Sequence, residues 1–495
     1  MPGRTDLQDR FSQKVAVGVV YVAVMFMSIM DTSIVNVSLP AIARHFRAAA
    51  TAVDGVSIAF LVSLAVFIPA SGWLGDRFGG KRVLMTAVAV FTAASALCGA
   101  AASVGELVGF RVLQGVGGGL LAPVGVAMLF RAFPPAERVR ASSIIVVPTA
   151  LAPALAPVIG GVLVTDASWR WVFYVNVPVG IAAFVFGVLF VANSPESDPG
   201  RFDLPGFLLA GAGLGLFMYG VCEGPDLGWG SARVLAAGTA GLVLLAVMVA
   251  VELRARQPIV ALWLLGNRLL RCTTAGIVTV SVAFFGVLFT VTLYYQEGRG
   301  MSALAAGLSQ FPTAIGVLAG SQLASRVIYW RVGPRRHLTV ALLGVALFAA
   351  LLALLGAHTS LWWPRLILFC LGFAMAQVLI PSQAASFATV TPADTGRASS
   401  LYNAGRQIGS AAGVAVVTTA IVLVGPFHLA GGHETANLAA YRVAFLVAAA
   451  IVLLGILPAQ TISDTEAART IPDRPGRRAR AAAAVVDEPA VELVA

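Results

Sequence analysis

An all-α integral membrane fold of fourteen transmembrane helices is predicted by three features of this 495-residue sequence. The chain is 58% hydrophobic and only 11% charged, with a mean hydropathy of +0.88, whereas soluble domains carry about 25% charged residues. Apolar stretches of membrane-crossing length recur along nearly the whole chain; about 18 or more such residues cross a hydrocarbon core roughly 30 Å thick. Lys and Arg gather in short segments at alternate ends of those stretches, which is how orientation is encoded. Backbone groups in lipid must bond internally, and the runs are too long and lack the alternation of barrel strands, so they are helices.

The spans fall at about 15–36, 55–74, 82–101, 105–129, 141–164, 173–192, 205–222, 233–252, 272–294, 303–323, 337–356, 361–382, 398–422 and 441–460. With the N-terminus inside, the inside segments hold 24 Lys and Arg and the outside loops hold six. That split requires an even number of spans and places both termini in the cytoplasm of a cell membrane. The first run is too long for a signal-peptide core and contains Asp31. Arg outnumbers Lys 31 to 2, which reads as the coding of a GC-rich bacterium. The formal charge of +10 sits at helix ends rather than on one face, so nucleic acid is not the expected partner; membrane lipid is. Cys98, Cys222, Cys272 and Cys370 lie far apart without metal-ligand spacing, so no metal or cofactor is expected.

Span 2 leads into the charged turn Gly72–Arg82, with Gly72, Asp76, Arg77, Gly79 and Arg82 as its gating residues. Asp76 and Arg77 are expected to pair with neighbouring helix ends or with Arg138 and Arg140. A weaker copy, Arg331–Arg336, lies 254 residues beyond Arg77–Arg82, with Trp330 where Asp76 would stand. Arg111 and Arg365, early in spans 4 and 12, share that offset. Two matches at one offset predict two pseudo-symmetric six-helix bundles with spans 7 and 8 as two extra central helices. The expected division is a cytoplasmic N-terminus (1–14), a first bundle (15–192), a linker with the inserted pair (193–271), a second bundle (272–460) and a disordered tail (461–495). The tail's Arg474–Arg478 run is expected against anionic lipid.

Ionisable groups within spans cost energy and call for a reason. Asp31 in span 1 is either a structural carboxylate near the outer interface or an acid facing the central cavity that takes up and releases protons. Arg111 in span 4 is its natural partner, because a guanidinium stays charged and can grip a carboxylate with two bonds. Gln114 lies one turn on, on the same face. Gly115 and Gly119 form a GxxxG along which another helix can approach closely. Span 5 holds Pro148, Pro153 and Pro157, each of which removes a backbone bond and favours a kink. Ala152, Ala156 and Gly160 make a small-residue stripe there. In span 13, Asn403 and Arg406 are candidate cavity groups beside a glycine stripe. The five histidines fall in loops or near span ends, leaving no buried histidine for a proton relay. No ATP-binding loop or hydrolase motif is present, so the chain is not expected to be an enzyme and an ion gradient is the remaining source of energy.

At these residues the chain resembles the major facilitator superfamily, and within it the fourteen-span drug:proton antiporters of the EmrB/QacA type. Gly72–Arg82 matches the superfamily's signature turn, and Arg111, Gln114 and Gly115 match its span-4 motif. Met30–Pro40 resembles the span-1 signature, and Trp169–Gly180 the segment entering span 6. The span-5 antiporter motif GxxxGPxxGG appears as Ala152, Ala156, Pro157, Gly160 and Gly161, with alanine for both leading glycines. Gly55 and Phe60 stand where the family often has Trp and Tyr, which implies a changed pocket wall. The resemblance implies a monomeric, proton-driven exporter of lipophilic or cationic compounds working by alternating access. An exporter of one self-made metabolite or lipid, a proton-symporting importer and a membrane sensor are the other readings.

Overall fold

The computed structural model describes residues 12–134, 137–193, 200–255, 257–332, 334–391, 393–430 and 433–461. Most of the expected N-terminal segment and nearly all of the expected tail lie outside the described residues. The long helices, in chain order, are α1 (Gln13–Phe46), α2 (Ala50–Phe67), α3 (Gly80–Ala100), α4 (Val104–Ala132), α5 (Arg138–Asp166), α6 (Asn176–Phe190), α7 (Leu204–Leu227), α8 (Ala232–Glu252), α9 (Arg268–Leu293), α10 (Ala303–Leu323), α11 (Pro334–Leu352), α12 (Trp362–Ser386), α13 (Thr395–Val424) and α14 (Leu438–Leu454). Among the described residues, twelve stretches are long and apolar enough to cross a membrane, or thirteen if α2 and the short helix Ala70–Phe78 form one bent span. The count of fourteen is not reached. The exception is α10, whose middle is diluted by Ser309, Gln310, Pro312 and Thr313.

Proline explains the main departures in helix boundaries. At Pro69 the predicted span 2 breaks into α2 and Ala70–Phe78, bent by 56°, because proline offers no N–H and crowds the preceding turn. At Pro40 the helix continues, and α1 runs on to Phe46 before ending at Arg47 in the left-handed conformation (φ 52°). In α5 the three prolines sit within one continuous helix. A short antiparallel hairpin, Phe427–Ala430 with His433–Ala436, joins α13 to α14 and was not anticipated.

The packing repeats along the chain. α1 packs on α5 and α6, α2 on α4, and α3 on α4 and α6. The same partnerships recur eight helices later: α9 with α13 and α14, α10 with α12, and α11 with α12 and α14. Small residues make the closest of these contacts possible. A Cβ on Gly115 would lie 2.8 Å from the Phe60 carbonyl, and one on Gly119 would lie 2.6 Å from that of Leu64, so both positions of the GxxxG are seated against α2. In the later set, Gly320 of α10 is likewise closed against the Phe373 carbonyl of α12 at 2.6 Å. α7 lies against α8, α2 and α13, touching both sets.

Candidate functional site

Asp31 and Arg111 meet inside the first set of helices, and both are buried to within 1% of full enclosure. By helix rise, Asp31 lies about 27 Å from the start of α1 and Arg111 about 10 Å from the start of α4. The pair therefore sits in the half of the bundle away from the Gly72–Arg82 turn. Arg111 Nη1 donates to Asp31 Oδ2 and, at 2.6 Å, to Gln114 Oε1. Its Nε donates to the Val56 carbonyl at 3.2 Å, and its guanidinium covers the Phe60 ring at 4.1 Å. The second carboxylate oxygen accepts from Gln114 Nε2 at 3.0 Å and from Asn176 Nδ2 at 2.9 Å. Ser95 Oγ accepts from the same two amides and donates to the Phe173 carbonyl at 3.0 Å. Four helices, α2, α3, α4 and α6, thus supply donors or walls around one carboxylate on α1. Removing either partner of such a sealed pair costs far more than removing an exposed ion pair.

The sequence expected Asp31, Arg111 and Gln114 on facing surfaces, and they meet. It reads Asp31 either as a structural carboxylate near the outer interface or as an acid facing the central cavity; the structure has the side chain enclosed within its own bundle, fully shielded from solvent. Phe60, expected as a pocket wall, is the floor beneath Arg111 and is itself fully buried. Asn176 and Ser95 were missed as site residues. Asn176 could have been found as a lone amide opening an apolar run; Ser95 carries no such signal. Asn403 is buried and spends its amide on the Ser399 carbonyl of its own helix at 2.9 Å. Arg406 is half-buried on α13.

The α5 residues act at two contacts. Ala152, Ala156 and Gly160 lie on the helix that packs on α1, both alanines are fully buried, and a Cβ on Gly160 would lie 2.8 Å from Ile34 Cγ1. Gly161 opens onto free space, and Pro157 abuts Gly307 of α10, whose added Cβ would lie 2.7 Å from the proline ring. So α5 grips α1 through small residues and meets the later set through a proline edge.

The Gly72–Arg82 turn ties the two sets together at the other end. Asp76 accepts from Arg131 at the end of α4 (2.9 Å) and faces Arg397 at the start of α13 (3.8 Å). Of the partners expected for it, helix ends are found; Arg138 instead donates to the Phe387 carbonyl after α12. Gly72 leaves room for α13, since a Cβ there would lie 3.1 Å from Arg397 Cα. Ser399 and Ser400 of α13 donate to the carbonyls of Pro123 and Ile68 at 2.8 and 2.7 Å. Gly79 takes φ 81° between the two helices of the turn, while Arg77 and Arg82 are exposed. Lys81 donates to the Val188 carbonyl at the end of α6 at 3.0 Å, where a cation offsets the unpaired carbonyls. Replacing Asp76 with Asn should loosen this closure. A cysteine at Gly396, beside the Asp76 carboxylate, is expected to react several-fold faster with an impermeant maleimide in the Asp76→Asn background; an unchanged rate would mean that Asp76 does not hold the closure.

His337 corrects one further expectation: it is buried at the start of α11, where Nε2 bonds Gln377 Oε1 at 2.7 Å.

A bundle of many apolar helices that repeats its packing and encloses an ion pair defines a multi-pass membrane protein. The chain belongs to the Major Facilitator Superfamily, whose family model matches residues 21–414. It is 32% identical over 404 residues to the tetracenomycin C resistance and export protein of Streptomyces glaucescens, covering 81% of this chain and 74% of that one. It is 29% identical over 423 residues to a multidrug resistance protein B homolog of Mycobacterium tuberculosis, covering 83% and 78%. The solved human organic anion transporter MFSD10 (TETRAN) superposes with a TM-score of 0.63 at 15% identity, covering 90% of this chain and 99% of that one. Membership makes this protein a transporter rather than an enzyme.

Proposed function

We propose that this protein is a proton-driven antiporter that exports lipophilic, often cationic compounds across a bacterial plasma membrane. In this reading it works as a monomer by alternating access, with fourteen spans and both termini in the cytoplasm. Residues 15–192 and 272–460 form the rocking bundles, and α7 and α8 are inserted between them within 193–271. The observation that carries the reading is the enclosed carboxylate of Asp31, held by Arg111, Gln114 and Asn176. A group sealed in this way changes its charge only when its bundle opens, so protonation and conformation become linked. Arg406 and Asn403 are assigned to the substrate path between the bundles, where apolar walls bind through buried area. The relatives' names support export, and the superfamily match supports a gradient-driven carrier.

A second reading is a dedicated exporter of one self-made compound, favoured by the similarity to a tetracenomycin C exporter. One experiment tests both. In everted vesicles holding an acid interior, adding a transported compound is expected to dissipate the pH difference. A response to many unrelated lipophilic cations supports the broad exporter, and a response to one compound class supports the dedicated one. Substrate-induced acidification of the vesicle lumen would reverse the assigned direction of coupling.

A further inference from the structure

A pair of acids stands apart from the site above, where α7 begins and α8 ends. Asp203 caps α7, its Oδ1 accepting from Gly206 N at 3.0 Å. Glu252, the last residue of α8, is 3% exposed, and its Oε1 accepts from Val260 N at 3.1 Å in the segment leading to α9. The other oxygens, Asp203 Oδ2 and Glu252 Oε2, are buried without a hydrogen-bond partner. Both side chains converge over Gly206: a Cβ there would collide with Asp203 Oδ2 and lie 2.6 Å from Glu252 Oε1. The carboxylates are therefore within about 5 Å of each other, a range in which two like charges resist being ionised together.

Among the described residues no cation answers them. Arg201 and Arg254, the nearest in sequence, are exposed, and neither side chain bonds to either acid. The helix after α2 reaches this corner through Trp73, which packs on Phe202 at 4.9 Å. Of its charges, Asp76 is engaged by Arg131 and Arg397, and Arg77 is exposed. Arg397 in turn lies over the Trp263 ring at 5.4 Å, in the turn before α9. Glu252 also sits at a helix C-terminus, where unpaired carbonyls already place negative charge. A buried anion there, with a free lone pair and a second anion beside it, needs a cation of its own.

We propose that Asp203 and Glu252 form a proton-binding site separate from Asp31, in which one proton on Glu252 is shared with Asp203. Release of that proton leaves two anions facing each other and drives Glu252 away from Asp203, straining the bond that Val260 N–H donates to it. The segment joining α8 to α9 is then freed, so occupancy holds the α7–α8 pair to the later helices. On the orientation proposed above, the site faces the cytoplasm and responds to its pH.

Infrared difference spectroscopy of the purified full-length protein tests this without any transport measurement, so its outcome is independent of the export reading. At neutral pH the wild type is expected to show a protonated-carboxyl C=O band that is absent in Glu252→Gln, shifted in Asp203→Asn and unchanged in Asp31→Asn. Should Glu252→Gln fail to fold, Gly206→Ala, which pushes the two acids apart while keeping both, must shift the same band. A band that persists in Glu252→Gln, or is unmoved in Gly206→Ala, overturns the proposal. Thermal stabilisation of the wild type by sodium that Glu252→Gln abolishes would overturn it in favour of a metal cation.

Discussion

Asp31→Asn is expected to reduce proton-gradient-driven export in everted vesicles to the background of vesicles lacking the protein, while the protein remains folded. Asparagine keeps the shape of the side chain and one accepting oxygen, so Gln114 and Asn176 retain a partner. Arg111 keeps Gln114 Oε1 at 2.6 Å, the Val56 carbonyl at 3.2 Å and the Phe60 ring. What is lost is the counter-charge of Arg111, at a cost in stability, and the ability to alternate between charged and neutral forms, which is what would couple a proton to a conformational change. Folding is read from the elution profile of the detergent-solubilised variant, and coupling from the pH difference. Export that continues at the wild-type rate would remove Asp31 from the mechanism.

Arg111→Ala is expected to act on stability as well, lowering it by about 3–5 kcal/mol because an enclosed carboxylate is left without its cation. Thermal unfolding in detergent measures the loss. The double variant Asp31→Asn/Arg111→Gln carries no buried charge and should recover most of the stability while exporting nothing. Equal stability of Arg111→Ala and wild type would show that the ion pair contributes little, and recovery of export in the double variant would show that the carboxylate is dispensable.

The membrane class and the repeat were legible because both rest on patterns that survive without coordinates: apolar length, alternate basic ends, and one offset relating Arg77 to Arg331 and Arg111 to Arg365. The meeting of Asp31 and Arg111 was also legible, since a charged group inside a span needs a partner and few were available. What the sequence hid is which way those groups point. A 3.6-residue period tells one face from another only when the faces differ in polarity, and α1 is apolar nearly all round, so the inward turn of Asp31 toward α3, α4 and α6 left no trace. Ser95 was invisible for the same reason, as a small residue among small residues. Helix ends depended on whether a proline breaks or is absorbed, and Pro69 and Pro40 answered oppositely. The partners of Asp76, Arg131 and Arg397, lie 55 and 321 residues away in sequence, a closeness that only packing creates.

Among the described residues, the second set of helices has the arginine but no acid bonded to it: Arg365 donates to Ser309 Oγ at 3.2 Å and lies over the Trp362 ring at 5.5 Å. The consequence concerns membrane voltage. A closed Asp31–Arg111 pair is electrically neutral, and a transmembrane field exerts almost no net pull on it. Protonating Asp31 leaves Arg111 as a bare cation within the field, where each full charge moved across the membrane is worth about 2.3 kcal/mol per 100 mV. In the second set the charge of Arg365 is fixed whatever the proton does. On the proposed mechanism, only the first set would therefore change its net charge within the field during a cycle, while the second keeps its own constant.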